Sequence, residues 1–441
     1  MSNLLDVVVI GAGAAGLLAA SRAAELGRRV LLLEKNRKAG VKILMSGGTR
    51  CNITQATDSR GIIEAFGEQG RFLHSPLAAL PPEAVVDLFE SEGVATKVEE
   101  TGKIFPTSDK AADVLTALLN RLRRSGATLA LDEAVQGLRQ RQDDRACCEI
   151  VTNHRTIRTS TVIVTTGGQS YPGCGTTGDG YAWLQEMGHT IVPPRPALTP
   201  LKTRADWAKS LRGVTLSDVI LSVVEEGADQ EHLNAGKRSA GKKRRPSGLL
   251  AERQGGMLFA HFGLSGPAVL DVSRAVATHA RPRSLTLICD FLPSISSDDL
   301  AGQLKDQAAK SGKKQIAGLL DNGLPRRLVD ALVEQAGVPA ERRAAELTRD
   351  ERVALVRCFK QLPIPITGTL GFEKAEVTTG GVALGEVDSR TMQSKLVPQL
   401  FLAGEILDLD GPIGGYNFQS AFSTGYLAGE SAASLAPDVT T

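Results

Sequence analysis

The stretch Leu5-Asp6-Val7-Val8-Val9-Ile10-Gly11-Ala12-Gly13-Ala14-Ala15-Gly16 decides the fold class. Its first half is a short apolar run suited to a buried strand. The glycine-rich half leads into a helical stretch that runs to about Leu26, with Gly27 placed where a helix ends in a left-handed residue. Val30 to Leu33 is a second apolar strand. Strand, glycine turn, helix and strand in that order imply a parallel sheet covered by helices. Each glycine has its own duty in such a turn. Gly11 permits the tight bend, Gly13 lets backbone approach a diphosphate, and Gly16 lets the helix pack closely on the strand. The helix N-terminus, with free N–H groups and a positive dipole end, is the expected seat of that diphosphate. Glu34 closes the second strand, where a carboxylate accepts hydrogen bonds from both ribose hydroxyls and repels a 2′-phosphate. FAD or NAD is therefore expected over NADP.

Three further segments favour FAD. Val162-Ile163-Val164-Thr165-Thr166-Gly167-Gly168 is a buried strand ending in small residues, as where a flavoprotein chain crosses beneath its nucleotide. Leu400-Phe401-Leu402-Ala403-Gly404-Glu405 is a third such strand, and Glu405 is expected to hold a ribityl hydroxyl. Gly411-Pro412-Ile413-Gly414-Gly415-Tyr416-Asn417 then leads into a helix through Ala421 and Ala428, whose N-terminus would stabilise negative charge on a reduced flavin. The other GxGxxG, Gly173 to Gly178, follows Tyr171-Pro172 rather than an apolar strand, so no second nucleotide domain is read and NADH or NADPH is expected only as a transient visitor to the flavin.

Composition bounds the class. The 441 residues suggest roughly three domains at about 150 residues each. Glycine, at 46 residues, exceeds the usual share of about 7%, and much of it falls at 11–16, 40–48, 167–180 and 404–415. There is no apolar run long enough to span a bilayer, and the Met1-Ser2-Asn3 start lacks a basic leader, so a cytoplasmic protein without a membrane is expected. The six cysteines form no CxxC and are read as reduced thiols, with Cys147-Cys148 as buried filler. Basic and acidic residues number 51 and 49, but Lys237, Arg238, Lys242, Lys243, Arg244 and Arg245 concentrate six charges in one loop. Without them the net charge falls from +2 to −4, which makes that loop a candidate contact for substrate or RNA phosphates, against a solvated loop tip.

Helices are expected over about 82–91 and 109–125, stopped by Gly93 and Gly126, and a β-meander over 128–158. Pro193, Pro194, Pro196 and Pro200 mark an exit from the first domain; Pro363 and Pro365 mark the return. Residues 211–225 and 255–263 are strand-like, while about 297–358 carry helical spacing with Ser297 as an N-cap. The expected organisation is a discontinuous nucleotide-binding domain, 1–195 and 366–441. A β-rich substrate domain, 196–290, and a helical insertion, 291–365, lie between its halves; the chain returns to the β-rich domain near 355–365.

Gly40-Val41-Lys42-Ile43-Leu44-Met45-Ser46-Gly47-Gly48-Thr49-Arg50-Cys51-Asn52-Ile53-Thr54 resembles a signature of a bacterial family of NAD(P)/FAD-dependent oxidoreductase flavoproteins. The likeness continues in Met257 to Ala268, Leu324 to Leu328, Ala375 to Val382, Ser389 to Met392 and Gly414 to Gln419, covering nearly the whole chain. Val41, Thr49 and Gln55 depart from it, standing where many members carry Arg, Gly and Asn. The resemblance implies a Rossmann-like FAD-binding domain of the glutathione-reductase type with inserted domains. It also implies activity as a ribosomal RNA dihydrouridine synthase or, in one branch, a bile-acid 7-dehydroxylation reductase. The full cofactor-binding set is Gly11, Gly13, Ala14, Ala15, Gly16, Glu34, Lys35, Lys42, Gly47, Asn52, Val135, Thr166, Gly167, Gly404, Glu405, Gly414, Gly415, Tyr416, Asn417 and Phe418.

A flavin passes hydride through N5, and reducing an activated C=C bond also requires a proton donor for the neighbouring carbon. Cys51 is one candidate, since a thiol with a pKa of about 8.5 is mostly protonated at neutral pH, although Arg50 and Lys42 nearby would lower it. His261 is the second. Arg326 and Arg327 are read as helix-start charges, with RNA contact as the alternative; Asp408 and Asp410 lack the partners a metal needs, and no metal is expected. The expected activity is reduction of a uridine C=C bond in 23S ribosomal RNA by FADH2. The alternative is an NAD(P)H-dependent ene-reductase or oxidase acting on a steroid-like or amino-ketone small molecule.

Overall fold

In the computed structural model, which describes residues 5–140, 148–225, 248–320 and 323–435, Leu5–Ile10 (β1) lies in the middle of a parallel sheet. Its neighbours are Val30–Leu33 (β2), with Val7 opposite Val30, and Thr156–Val164, with Val7 opposite Thr161. Leu400–Leu402 extends the sheet beyond Thr156–Val164, and Thr128–Ala130 extends it beyond β2, both in parallel. Val7, Val8, Val9, Leu32, Val162 and Ile163 are fully buried. That is the pattern of strands covered on both faces, and it explains why they read as continuous apolar runs. The helix Ala14–Glu25 (α1) covers one face together with the final helix, Tyr416–Leu435. These two helices approach so closely that a Cβ on Gly425 or Gly429 would lie 2.3 Å from the carbonyl oxygen of Ala15 or Ala19.

Thr128–Ala130 belongs to the parallel sheet, so the expected meander over 128–158 shortens to Val135–Gln140, Cys148–Thr152 and the strand that follows. The helices Pro82–Ser91 and Ala111–Ser125 end as anticipated, with Gly93 and Gly126 left-handed. Pro193, Pro194 and Pro196 lie inside the strand Ile191–Ala197, which among the described residues pairs with Val377–Val382 alone, and the first unit's opening segment ends at Pro196. Proline lacks an N–H but is tolerated on such an edge. The N-cap near 297 is Ser296, whose hydroxyl accepts from the Asp299 amide at 3.0 Å.

The chain divides into two compact units, Met1–Pro196 with Glu376–Thr441, and Ala197–Ala375. The second is a closed six-stranded barrel, ordered Leu201–Thr203, Gly263–Ser265, Leu249–Ala260, Thr215–Glu225, Leu285–Asp290 and Leu362–Thr369. Pro363 and Pro365 sit within its last strand, opposite Ile288 and Thr286. The helices Ser297–Lys310, Arg326–Gln335 and Arg349–Lys360 bury Leu300, Leu328, Leu332, Leu355 and Phe359 in the same apolar core as the barrel residues Leu221, Phe259, Leu287 and Ile364. The β-rich and helical segments are therefore a single unit, because the amphipathic helices have no other surface on which to bury their apolar faces. Among the described residues, no helix is long and apolar enough to cross a membrane. Lys237, Arg238, Lys242, Lys243, Arg244, Arg245 and Cys147 lie outside the described residues.

Candidate functional site

At the carboxyl end of β1 the backbone turns through Gly11 at φ 101°, a conformation disfavoured for residues with a Cβ. A side chain there would also meet the Thr165 carbonyl oxygen at 2.7 Å. Gly16 is tighter still: a Cβ would lie 1.9 Å from the Gly11 oxygen and 2.6 Å from Thr165 Oγ1. That threonine hydroxyl lies 2.9 Å from the carbonyls of both Ile10 and Gly11, binding strand to turn. At Gly13 nothing lies within 4 Å of where a Cβ would be. Gly13 caps α1 without a side-chain hydrogen bond, and the first turn carries no acidic residue. The N-terminus of α1 thus has no side-chain cap, and the space beside Gly13 is open, an arrangement that suits an anion.

Glu34 is buried, and its two oxygens accept from the Ala12 and Asn36 amides, each at 2.9 Å. The carboxylate first fixes the glycine turn, and its remaining lone pairs are what a ribose would meet. Lys35 is tied elsewhere, to Thr177 Oγ1 at 2.7 Å and to the Asp179 carboxylate. Val135 opens the strand opposite Thr152 and packs half-buried against the core of this unit.

The segment Val41–Thr49 (α2) breaks at Ser46, and Gly47, Gly48, Thr49 and Cys51 all adopt positive φ. For glycine this costs little; for Thr49 at φ 70°, with its β-branched and exposed side chain, it is strained. This is the position where the resembling signature carries Gly. Thr49→Gly should therefore raise stability by about 1 kcal/mol, the strain relieved being partly offset by the more flexible unfolded chain. Chemical denaturation checks this, and a loss of stability would exclude strain at Thr49.

Cys51 is fully buried, and burial pushes its thiol up to about 12. Neither expected cation lowers it. Arg50 turns to Glu99 at 2.6 Å and stacks 4.0 Å from the Phe105 ring centre, while Lys42 is engaged by Glu405 and Ser170. Cys51 is accordingly a buried thiol held in its protonated form. Its neighbour Asn52, with the amide oriented to satisfy its surroundings, donates to Thr54 and Ile104 carbonyls and accepts from the Gly415 amide at 2.9 Å.

Glu405 is the centre of a polar network. Its Oε2 accepts from Lys42 Nζ at 2.6 Å, and its Oε1 accepts from Ser170 Oγ at 2.7 Å and the Thr378 amide at 2.9 Å. Lys42 also donates to Ser170 at 2.6 Å, and Thr378 Oγ1 accepts from the Gln169 and Ser170 amides. Sequence reasoning missed Ser170 and Thr378 as members. Gln169 and Thr378 are 209 residues apart, and no spacing rule links them. The only available signal was that Thr378 falls in one of the family-like blocks.

Gly167, Gly404, Gly414 and Gly415 are all at positive φ. Gly415 has no room for a side chain, since a Cβ would lie 2.5 Å from the Thr54 carbonyl carbon. Asn417 holds the loop into the final helix by accepting from the Gly411 amide at 2.8 Å and donating to the Gly411 carbonyl at 2.9 Å. Phe418 stacks on Phe422 at 5.7 Å, and Tyr416 packs half-buried beside Gly414. Asn417 and Phe418, both half-buried, thus also shape the loop and the core. Thr166 Oγ1 and Gln55 Oε1 are buried without a hydrogen-bond partner among the described residues. Such groups are costly unless something bound supplies a partner.

In the second unit, His261 is exposed in the turn between two barrel strands, with its ring edge-to-face on Phe262 at 5.0 Å. Arg326 pairs with Asp330 at 2.8 Å, and Arg327 donates to the Ser210 and Arg212 carbonyls. Asp408 accepts from the Gly380 amide and Gln69. Among the described residues no group of His, Cys, Asp and Glu is arranged to hold a metal.

The model of the HI0933-like protein Rossmann domain matches residues 5–431. The chain belongs to this family. Within it, the chain is 31% identical to a ribosomal RNA dihydrouridine synthase from Escherichia coli (strain K12), over 96% of each protein. It is equally, at 31%, identical to a 3-dehydro-bile acid delta(4,6)-reductase from Clostridium scindens, over 96% of this chain and 98% of that one. Among solved structures it is similar to 3-ketosteroid delta1-dehydrogenase from Sterolibacterium denitrificans, at 15% identity and a TM-score of 0.49, over 98% of this chain and 100% of the other. The HI0933-like family fits the α/β Rossmann architecture described above.

Proposed function

We propose that this oxidoreductase binds FAD in its first unit and reduces a uridine C=C bond in 23S ribosomal RNA to dihydrouridine, with NADH or NADPH as a transient reductant. The observation that carries the cofactor assignment is the open, uncapped N-terminus of α1 at Gly13, bordered by a turn in which Gly11 and Gly16 admit no side chain. The buried, unpartnered Thr166 and Gln55 oxygens in the same unit also fit a polar ligand. Bound FAD would supply hydride at its N5.

The chain's own groups then divide the work. The α1 amides offset the diphosphate charge, and the free lone pairs of Glu34 receive ribose hydroxyls. Glu405 has one oxygen, Oε2, engaged by a single donor, and that oxygen can still accept from a ribityl hydroxyl. The N-terminus of the final helix adds a positive dipole end, which favours a reduced, anionic cofactor.

The RNA half of this reading is supported by the dihydrouridine synthase relative, and it goes with a cytoplasmic protein. The equal identity to the bile-acid reductase supports a second reading, reduction or oxidation of a steroid-like or amino-ketone small molecule. Nucleoside analysis of ribosomal RNA separates them. A strain lacking the gene should lose a ribosomal dihydrouridine that the restored gene returns. Unchanged dihydrouridine would sink the RNA reading, and turnover of a steroid enone by the purified protein would then favour the other.

A further inference from the structure

Three separate segments of the second unit meet on one face. Lys202 lies opposite Gly263 in the barrel, and the Thr203 amide donates to the Phe262 carbonyl at 3.3 Å. The Gly213 amide donates to the Phe259 carbonyl at 2.9 Å. Arg327 reaches from the start of its helix to the Ser210 carbonyl at 2.6 Å and the Arg212 carbonyl at 3.3 Å. The loop 202–213, the turn 260–263 and the helix start at 326 are thereby contiguous.

This face carries Lys202, Arg204, Lys209, Arg212, Arg326 and Arg327 against two carboxylates, Asp206 and Asp330. The carboxylates engage only Lys209, at 3.1 Å, and Arg326, at 2.8 Å. Lys202, Arg204 and Arg212 are exposed and have no carboxylate partner among the described residues. Arg327 bonds carbonyls, which leave its charge uncompensated. Like charges gathered this way repel one another and destabilise the bare surface, whereas a polyanion converts them into binding energy. Aromatic rings stand among the cations: exposed His261 edge-to-face on Phe262, and half-buried Trp207 beside Phe259 at 6.3 Å. Cations with interleaved rings are what an unpaired RNA strand engages, by its phosphates and its base faces.

We infer that this face of the second unit binds the sugar–phosphate backbone of RNA flanking the modified uridine, with the His261–Phe262 turn as a shelf for an unpaired base. It rests on the RNA reading above. The test is filter binding of the full-length, FAD-loaded protein to deproteinised 23S ribosomal RNA between about 50 and 200 mM KCl. In Arg204→Gln/Arg212→Gln, the dependence of log affinity on log salt should flatten by about 1.4, the share of two phosphate contacts on a single strand, with thermal midpoint and flavin content unchanged. Lys305→Gln/Lys310→Gln, on the exposed side of Ser297–Lys310, removes the same charge and should leave the slope as it was. An unchanged slope in the arginine variant, or equal flattening in both, overturns the inference. If the unaltered protein itself shows no salt-dependent RNA binding, the RNA reading fails as well. If it binds and the arginine variant binds identically, this face alone is wrong.

Discussion

Gly16→Ala is expected to yield a protein that is destabilised by about 3 kcal/mol and purifies without flavin. Overpacking a tight site costs about 1–3 kcal/mol, and this one lies at the upper end. The new Cβ would sit 1.9 Å from the Gly11 carbonyl oxygen, and a backbone atom cannot rotate aside as a side-chain tip can. Relief requires α1 to lift away from β1, which disturbs the Thr165 hydroxyl contacts to Ile10 and Gly11 and displaces the amides that face the diphosphate. Gly13→Ala is the informative companion. At Gly13 a Cβ meets no protein atom within 4 Å, and the residue has an ordinary extended backbone at φ −84°. That variant should fold with unaltered stability and still lose FAD, because the only thing in the way of its methyl group is the ligand. Thermal unfolding and flavin absorbance after purification measure both quantities. Full flavin content in Gly13→Ala would remove the diphosphate from this turn.

The second large effect is expected at Glu405. Its substitution by alanine removes three acceptor contacts at once, from Lys42, Ser170 and the Thr378 amide, and leaves the Lys42 ammonium with Ser170 alone. The Lys42 and Glu405 side chains are 28% and 21% exposed, between the surface case, worth little, and the buried case, where breaking a pair costs about 3–5 kcal/mol. A loss of about 2–3 kcal/mol is expected from Glu405→Ala. Because part of that loss is the stranded cation, adding Lys42→Met should return about 1 kcal/mol, a coupling that a double-mutant cycle reads directly. Strict additivity would mean that the two groups do not act as a pair.

What could be read from the chain alone follows from the range over which each signal operates. The positive φ of Gly11 and the helix stops at Gly27, Gly93 and Gly126 are short-range features, each set by a residue's own φ, and Glu34 is found by its fixed place at the end of the next strand, 22 residues from Ala12. They were legible for that reason. Local ambiguity blurred the cap at Ser296, because Ser297 offers the same hydroxyl one residue on and only backbone geometry chooses between them. That Ile191–Ala197 and Leu362–Thr369 form strands in spite of their prolines was not legible, since sheet pairing of distant segments overrides a local breaker. The Glu405 network was illegible beyond Glu405 and Lys42, as it joins α2, the 169–170 turn and Thr378 across the sheet. Cys51 shows the same limit. Its flanking cations were expected to lower the thiol, but their charges are directed at Glu99 and Glu405, and burial raises it instead.

The most direct measurement is mass spectrometry of unmodified 23S ribosomal RNA, transcribed in vitro and incubated without oxygen with the FAD-loaded protein and NADH or NADPH. One uridine should gain the mass of two hydrogens, and the gain should disappear in flavin-free Gly13→Ala. Flavin that is reduced by the nicotinamide while every uridine keeps its mass would contradict the account.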